Sequence, residues 1–235
     1  MNTSLQWREY FERNARSLLD IPWGVGGDLG DDERAAIASS LQGFQAGESS
    51  EGRNLFRYAG EYANESGDHE YVAVIRLFIA EEQRHAGDLA KFLQLNGIPL
   101  LKKTFPDRVF RRLRHIFGSL EISIGVLITA EIIAKVYYAV LKDATDSRIL
   151  RPLCDQILRD EIKHVEFQAE QLGVLRRGRT RIFGWITMAM QRFLFWGTCL
   201  IVWQFHKKAI RKGGFNFRMF WRSSWSEFND AFATS

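Results

Sequence analysis

The chain is poor in several things at once. Its 235 residues include only two cysteines, Cys154 and Cys199, too few and too far apart for a disulfide framework or a thiolate-bound zinc or iron–sulfur centre. Both read as thiols in a reducing compartment. No stretch alternates apolar and polar residues as a half-buried strand does, so the body is expected to be all-α. Residues 1–16 carry charges throughout and no apolar core, so no secretory signal is read there and a cytoplasmic location is expected. Acid is missing altogether from Gln171 to Ser226, a stretch that holds eleven Lys and Arg. The chain as a whole is +4, so the remainder is net acidic and the basic character is a property of one end. With 46% hydrophobic and 26% charged residues it has enough apolar material for a full core, which excludes a disordered chain.

Start and stop signals divide the chain into helices. A short helix is expected over Leu5–Leu19, closed by Asp20-Ile21-Pro22 and a loop holding Gly24, Gly26, Gly27 and Gly30. Asp31 or Asp32 opens a helical approach that leads through Gly47 and Glu48 into a first bundle helix, ending near Asn64–Gly67. Asp68 would cap a second helix running to Leu95, where Asn96-Gly97-Ile98-Pro99 stops it. After a linker with Pro106 and four arginines (Arg108, Arg111, Arg112, Arg114), a third helix spans Ser119–Leu141 and a fourth Ser147–Leu175. The resulting division is a lead-in over 1–43, a four-helix bundle over 44–175 and a C-terminal extension over 176–235.

Within that bundle one signature occurs twice: Glu82-x-x-His85 and Glu161-x-x-His164. A Glu and a His three residues apart project from one face of a helix. Each copy follows a lone glutamate at nearly the same distance, Glu51 being 31 residues before Glu82 and Glu131 30 before Glu161. Tyr-Ala recurs seven residues after each lone glutamate, as Tyr58-Ala59 and Tyr138-Ala139, so the chain reads as two helical hairpins built on one pattern. Glu131 sits in the middle of an otherwise apolar helix. Taken alone it would pair with Lys135 at i+4 on an exposed edge; taken with the repeat it reads as a metal ligand, because a buried carboxylate needs a compensating charge. Four helices, two giving one Glu and two giving Glu-x-x-His, can enclose two metal ions, and four carboxylates offset two divalent cations. Carboxylate with imidazole suits iron, with manganese or a mixed pair as the alternative. The expected ligands are Glu51, Glu82, His85, Glu131, Glu161 and His164. Glu48, one turn before Glu51 on the same face, competes for the first-helix position. Tyr58 and Tyr138 lie two turns from the lone glutamates, placed to hydrogen-bond ligand carboxylates or simply to pack.

With Ala46-Gly47-Glu48-Ser49, Arg53-Asn54, Tyr58 and the two Glu-x-x-His pairs in view, residues 44–175 resemble the ferritin-like superfamily, and within it the rubrerythrin-type di-iron carboxylate proteins. The resemblance implies a ferritin-like four-helix bundle in which Glu82 and Glu161 bridge two irons, His85 and His164 each cap one, and Glu51 and Glu131 are terminal ligands. It implies redox chemistry with dioxygen or peroxide, as an oxidoreductase or monooxygenase, or else iron handling as a ferroxidase, or metal binding without catalysis. The chain lacks the four cysteines of a rubredoxin domain, so an electron donor would be external. It also lacks the family's second acid on the third helix, where Ile128 and Ala134 flank Glu131.

The extension is of another character. Five of the seven tryptophans (Trp185, Trp196, Trp203, Trp221, Trp225) fall after Arg181, and residues 182–205 are almost wholly apolar. As a helix they would reach roughly 36 Å, long enough to cross a bilayer, but Arg192 near the midpoint makes insertion costly. Tryptophan with Lys and Arg fits a segment lying against an anionic membrane surface, peripheral to its inner face. Packing on the bundle or in a homodimer interface is the alternative, and a nucleic-acid partner is disfavoured because no binding motif accompanies the bases. Were the tail to meet lipid, the chain would resemble the membrane-bound hydroxylases of quinone biosynthesis, which share the ferritin-like fold.

Overall fold

The computed structural model describes residues 1–49, 52–101 and 119–233; the second half of the proposed ligand pair at 48 and 51, and the arginine-rich linker, lie outside them. Among the described residues there are eight α-helices and no strand: α1 (Ser4–Asn14), α2 (Asp31–Glu48), α3 (Arg53–Ser66), α4 (Glu70–Leu95), α5 (Leu120–Asp143), α6 (Leu150–Arg176), α7 (Arg181–Lys212) and α8 (Phe217–Ala233).

Local chemistry accounts for most of the boundaries. Thr3 and Gln6 form a reciprocal capping box at the start of α1, and Ser119 accepts from the Ile122 N–H at the start of α5. Gly67 ends α3 at φ +76°, a conformation that costs a residue with a Cβ. At the end of α4 the Gly97 and Ile98 N–H groups return to Gln94 and Leu93 carbonyls, with Gly97 again left-handed. The first bundle helix, by contrast, is not one helix. It breaks after Glu48, and the chain re-enters helix at Arg53 behind Gly52, whose φ is +62° and whose Cα faces Ile79 so closely that a Cβ would lie 2.5 Å from its Cδ1. Two smaller expectations are corrected as well. The N-terminal helix stops at Asn14 rather than Leu19, and Asp68 does not cap α4: its carboxylate accepts from Ser4 Oγ at 2.5 Å and so ties α1 to the α3–α4 turn.

The bundle is α2 with α3, α4, α5 and α6, the last two packed along their length. One hydrophobic core runs from Trp7 and Phe11 on α1, through Tyr71, Phe78, Ile128 and Tyr138, to Phe220 and Phe228 on α8. The lead-in and the extension therefore share the bundle's core. Each such side chain removed from water contributes on the order of 1.5–3 kcal/mol. α1 lies on α4, and α7 lies against α5 and α2.

Polar pins fix α7 in register. Gln191 Nε2 donates to the Gly125 carbonyl and to Thr129 Oγ1, both at 2.7 Å, and Gly125 is small enough to admit it. Farther along, His206 Nδ1 meets Ser40 Oγ at 2.8 Å, and the same hydroxyl meets Tyr137 OH at 2.6 Å. Burial holds the His206 pKa down to about 4, so the ring is neutral in this apolar seat.

Candidate metal centre

Glu82 and His85 stand one turn apart on α4, Glu161 and His164 one turn apart on α6, and the antiparallel packing of the bundle turns both pairs toward the same interior point. Both imidazoles are buried, as are Glu161 and Glu131; Glu131 is only 4% exposed in the middle of α5. The two rings are 5.8 Å apart, centroid to centroid. His164 Nδ1 lies 3.1 Å from Glu82 and 3.7 Å from Glu161, and His85 Nδ1 lies 3.7 Å from each of the same two carboxylates.

Ligand-capable atoms gather into two overlapping sets, each within 4.8 Å of one another: Glu48, Glu82, His85 and Glu161 in one, Glu82, Glu131, Glu161 and His164 in the other. Glu82 and Glu161 belong to both sets. This is the arrangement of two adjacent cation positions sharing two carboxylates, with one histidine and one further glutamate to each. Five of the six sequence-predicted residues thus come together. The sixth, Glu51, lies outside the described residues, and the acid that the structure places in the cluster from the first bundle helix is Glu48, the last residue of α2. The exposed Glu131–Lys135 pair does not form: Lys135 is drawn to Glu227 on α8.

The donor set fits a metal pair. Among the described residues both His Nδ1 atoms, both Glu161 oxygens and Glu82 Oε1 are buried and find no aligned hydrogen bond, five polar atoms gathered at one cluster. Elsewhere in a folded protein such orphans cost about 1–3 kcal/mol each. The far sides of the same groups are well held. His164 Nε2 is 2.9 Å from Glu81, and His85 Nε2 is 3.0 Å from Asp160, so each histidine leans on the acid that precedes the other helix's glutamate. Such carboxylate–imidazole contacts fix ring orientation and leave Nδ1 as the lone-pair face toward a metal. Asn14 on α1 spans the two acids, donating to Glu81 at 2.6 Å and to Asp160 at 2.8 Å. Gln156 and Arg84 complete the hold on Asp160.

Electrostatics record the mismatch that cations would relieve. Burial, and then the charges of Glu82 and Glu131, push Glu48 well above the ordinary carboxylate range; burial and Glu131 do the same to Glu161, and burial and Glu82 raise Glu131. Burial also works to raise Glu82, but the contacts and charges of His164 and His85 overcome it and hold the group down. At His164 burial opposes the charged ring, yet Glu161, Glu81 and Glu82 outweigh it and raise the pKa well above that of a free imidazole. For Asp160, too, burial is overcome, by His85, Gln156 and Asn14, so that it stays ionised.

Tyr138 OH donates to Glu48 at 2.9 Å, which gives one of the two tyrosines of the repeat a place beside the cluster. Gln168 approaches Glu131 at 3.5 Å. Phe78 stands edge-on to His164 at 4.7 Å and Phe11 lies 6.0 Å from it, closing the α1 side with aromatic carbon.

Sequence reasoning missed Asn14, Glu81 and Asp160. An acid directly before each Glu-x-x-His was a visible signal for the last two. Asn14 had none.

No family model matches the chain, and no curated relative matches it. Among solved structures it is similar to an R2-like ligand-binding oxidase, a mutant with an aerobically reconstituted Mn/Fe cofactor, at a TM-score of 0.74 over 99% of this chain and 93% of that one, with 16% identity. Similarity of this extent over nearly the whole of both chains, at an identity too low to carry more than architecture, establishes that this chain has the ferritin-like fold.

Proposed function

We propose that this chain is a dinuclear metal oxidoreductase, with iron, or manganese with iron, as the metal pair. The observation that carries the reading is the shared-carboxylate geometry: Glu82 and Glu161 common to two four-residue sets, each completed by a histidine whose outer nitrogen is already engaged. Two such ions, when bound, supply the electrons with which dioxygen or peroxide is reduced. Glu82 and Glu161 would set the separation of the pair. His85 with Glu48, and His164 with Glu131, would complete one position each.

The protein's own contribution is orientation, charge and dryness. Asp160 and Glu81 hold the imidazoles, Asn14 holds those acids, and Tyr138 directs its hydroxyl proton at Glu48. Phe11, Phe78 and the apolar run of α5 keep bulk water from the cluster, which strengthens every charge interaction inside it. These apolar walls favour a hydrophobic organic substrate over a charged one. Electrons for repeated turnover would come from a separate donor.

The test is anaerobic loading with ferrous iron, alone and with manganous ion, followed by elemental analysis and oxygen uptake. About two metal atoms per chain are expected, lost together in Glu82→Ala and in Glu161→Ala, with oxygen consumption following metal content. Retention of metal in either variant, or accumulation of many ferric ions per chain, would overturn the reading.

A further inference from the structure

The face of α7 turned away from the bundle has no function in the metal reading. Ile182 (74% exposed), Trp185 (73%), Phe193 (83%), Trp196 (53%) and Leu200 (53%) stand out from it, with Ile186 and Met190 beside them. At the helical repeat these positions fall on one stripe, about 27 Å from first to last. The surface around the stripe is basic. Arg177 and Arg181 are exposed at its N-terminal end, where Arg179 is paired with Glu121 on α5, with Arg192 on its flank and Lys208, Arg211 and Lys212 where it runs out. There α7 and α8 enclose an open groove in which Leu200, Trp203 and Phe217 form apolar walls and Arg211 and Arg218 stand as cations, Arg211 lying 5.5 Å from the Trp203 ring.

We propose that this face seats the protein on the surface of an anionic lipid bilayer, the apolar stripe at the acyl boundary and the Arg211–Arg218 groove on a lipid headgroup phosphate. Charge decides the occupant. A second copy docking through the same face would set Arg181, Arg192, Lys208, Arg211 and Lys212 against their own counterparts, in a stretch from 171 to 226 that carries no acid. An anionic leaflet supplies the missing charge, and each Lys or Arg near its surface adds attraction. Tryptophans partly exposed beside cations are the side chains that settle at the headgroup level.

The same helix lies on the bilayer and does not cross it. Its opposite side, with Phe195, Thr198, Cys199, Val202 and His206, is buried in the core, and Gln191 is hydrogen-bonded to α5. Crossing would tear these contacts out. Arg192, on the flank of the stripe, can lay its stem along the apolar surface and keep its guanidinium at the phosphates.

The test is independent of metal content. The full chain is floated with vesicles of phosphatidylcholine and, separately, of phosphatidylcholine with an equal part of phosphatidylglycerol. Binding to the anionic vesicles alone is expected, weakened by salt and roughly tenfold or more weaker in Arg211→Glu/Arg218→Glu. Phe193→Glu/Trp196→Glu is expected to abolish flotation while circular dichroism stays that of the parent, the melting temperature falling by only a few degrees as Trp196 gives up its edge-on contact with Trp221 at 5.0 Å. Equal flotation on the two vesicle types, flotation unchanged in the two variants, or no flotation of the parent overturns the proposal. So does a dimer in sedimentation that the Phe193→Glu/Trp196→Glu change dissolves while the parent ignores vesicles. Resistance of the bound protein to alkaline carbonate would mean a spanning helix and overturns it too.

Discussion

Among the described residues two helices, α5 and α7, are long and apolar enough by composition to cross a membrane, yet they occupy opposite environments: the most apolar stretch of α5 is 78% buried within the protein and that of α7 only 28%. On α5 apolar residues are buried on nearly every side, and the charged residue buried among them is an acid, Glu131, at the cation cluster. On α7 Gln191 and His206 face inward as pins beside Phe195, Val202 and Ile210, while Ile182, Trp185, Phe193, Trp196 and Leu200 face out. Hydropathy alone therefore does not say where a helix sits. The side on which its few polar residues find partners does.

The sharpest way to break this comparison is to make one change in both helices. Ile128→Asp on α5 puts a carboxylate at a fully buried position beside acids already under strain from their burial, and is expected to cost on the order of 4 kcal/mol or more and to unfold the chain at ordinary temperature. Phe193→Asp on α7 is expected to change stability by no more than about 0.5 kcal/mol. Comparable thermal melts for the two variants would mean that α7 is covered in solution.

A second change, on α6, tests the cluster that the inward face of α5 is packed around. Glu161→Gln is expected to abolish metal binding and, in metal-free protein, to raise stability by about 1 kcal/mol, because it removes a buried acid that only a cation or a proton compensates. A metal-free melting temperature that falls in Glu161→Gln would show that the cluster is satisfied without ions.

How much of this was legible follows from particular residues. The twin Glu-x-x-His pairs and the acid inside α5 announced the cluster because each signal is local: one turn of helix, or one charge in an apolar run. The choice between Glu48 and Glu51 was not, because counting by the repeat assumes an unbroken helix, whereas α2 ends at Glu48, α3 begins at Arg53 and Glu51 lies outside the described residues. Glu81 and Asp160 were visible as acids, but their partners lie on the facing helix, at separations of 83 and 75 residues, where no periodicity reaches. Asn14 is 67 and 146 residues from the acids it joins, and only the docking of α1 reveals it. Asn14→Ala should accordingly leave both acids short of a buried donor, costing about 2 kcal/mol and weakening metal affinity roughly 10–100-fold as the imidazoles loosen. Isothermal titration beside a thermal melt would show whether both fall together.

The pH dependence should have opposite signs with and without metal. In metal-free protein Glu48, Glu131 and Glu161 are raised by burial and by one another, so they hold protons in the folded state that the unfolded chain has released. Stability then falls as pH rises above about 4.5, the ordinary range of Glu. His164, also raised, adds to the fall as pH passes its folded value. Loaded protein should gain stability over the same rise, because ligands must be deprotonated to bind. The difference between loaded and metal-free melting temperatures is therefore expected to widen from pH 5 to pH 8, and a constant difference would mean that the cluster does not hold the ions.

Tyr138→Phe should have the smallest effect and the most selective. Its hydroxyl donates to Glu48, and Glu48 belongs to the set with His85 and not to the set with His164. Losing one hydrogen bond to a buried acid costs about 1 kcal/mol, but the loss falls on one cation position, so metal titration should split into two steps, the weaker shifted less than about tenfold and the tighter unchanged. Glu131, on the same helix as Tyr138, would hold the second position as before, and an equal loss at both would mean that the ions do not divide between the two sets as the shared carboxylates imply.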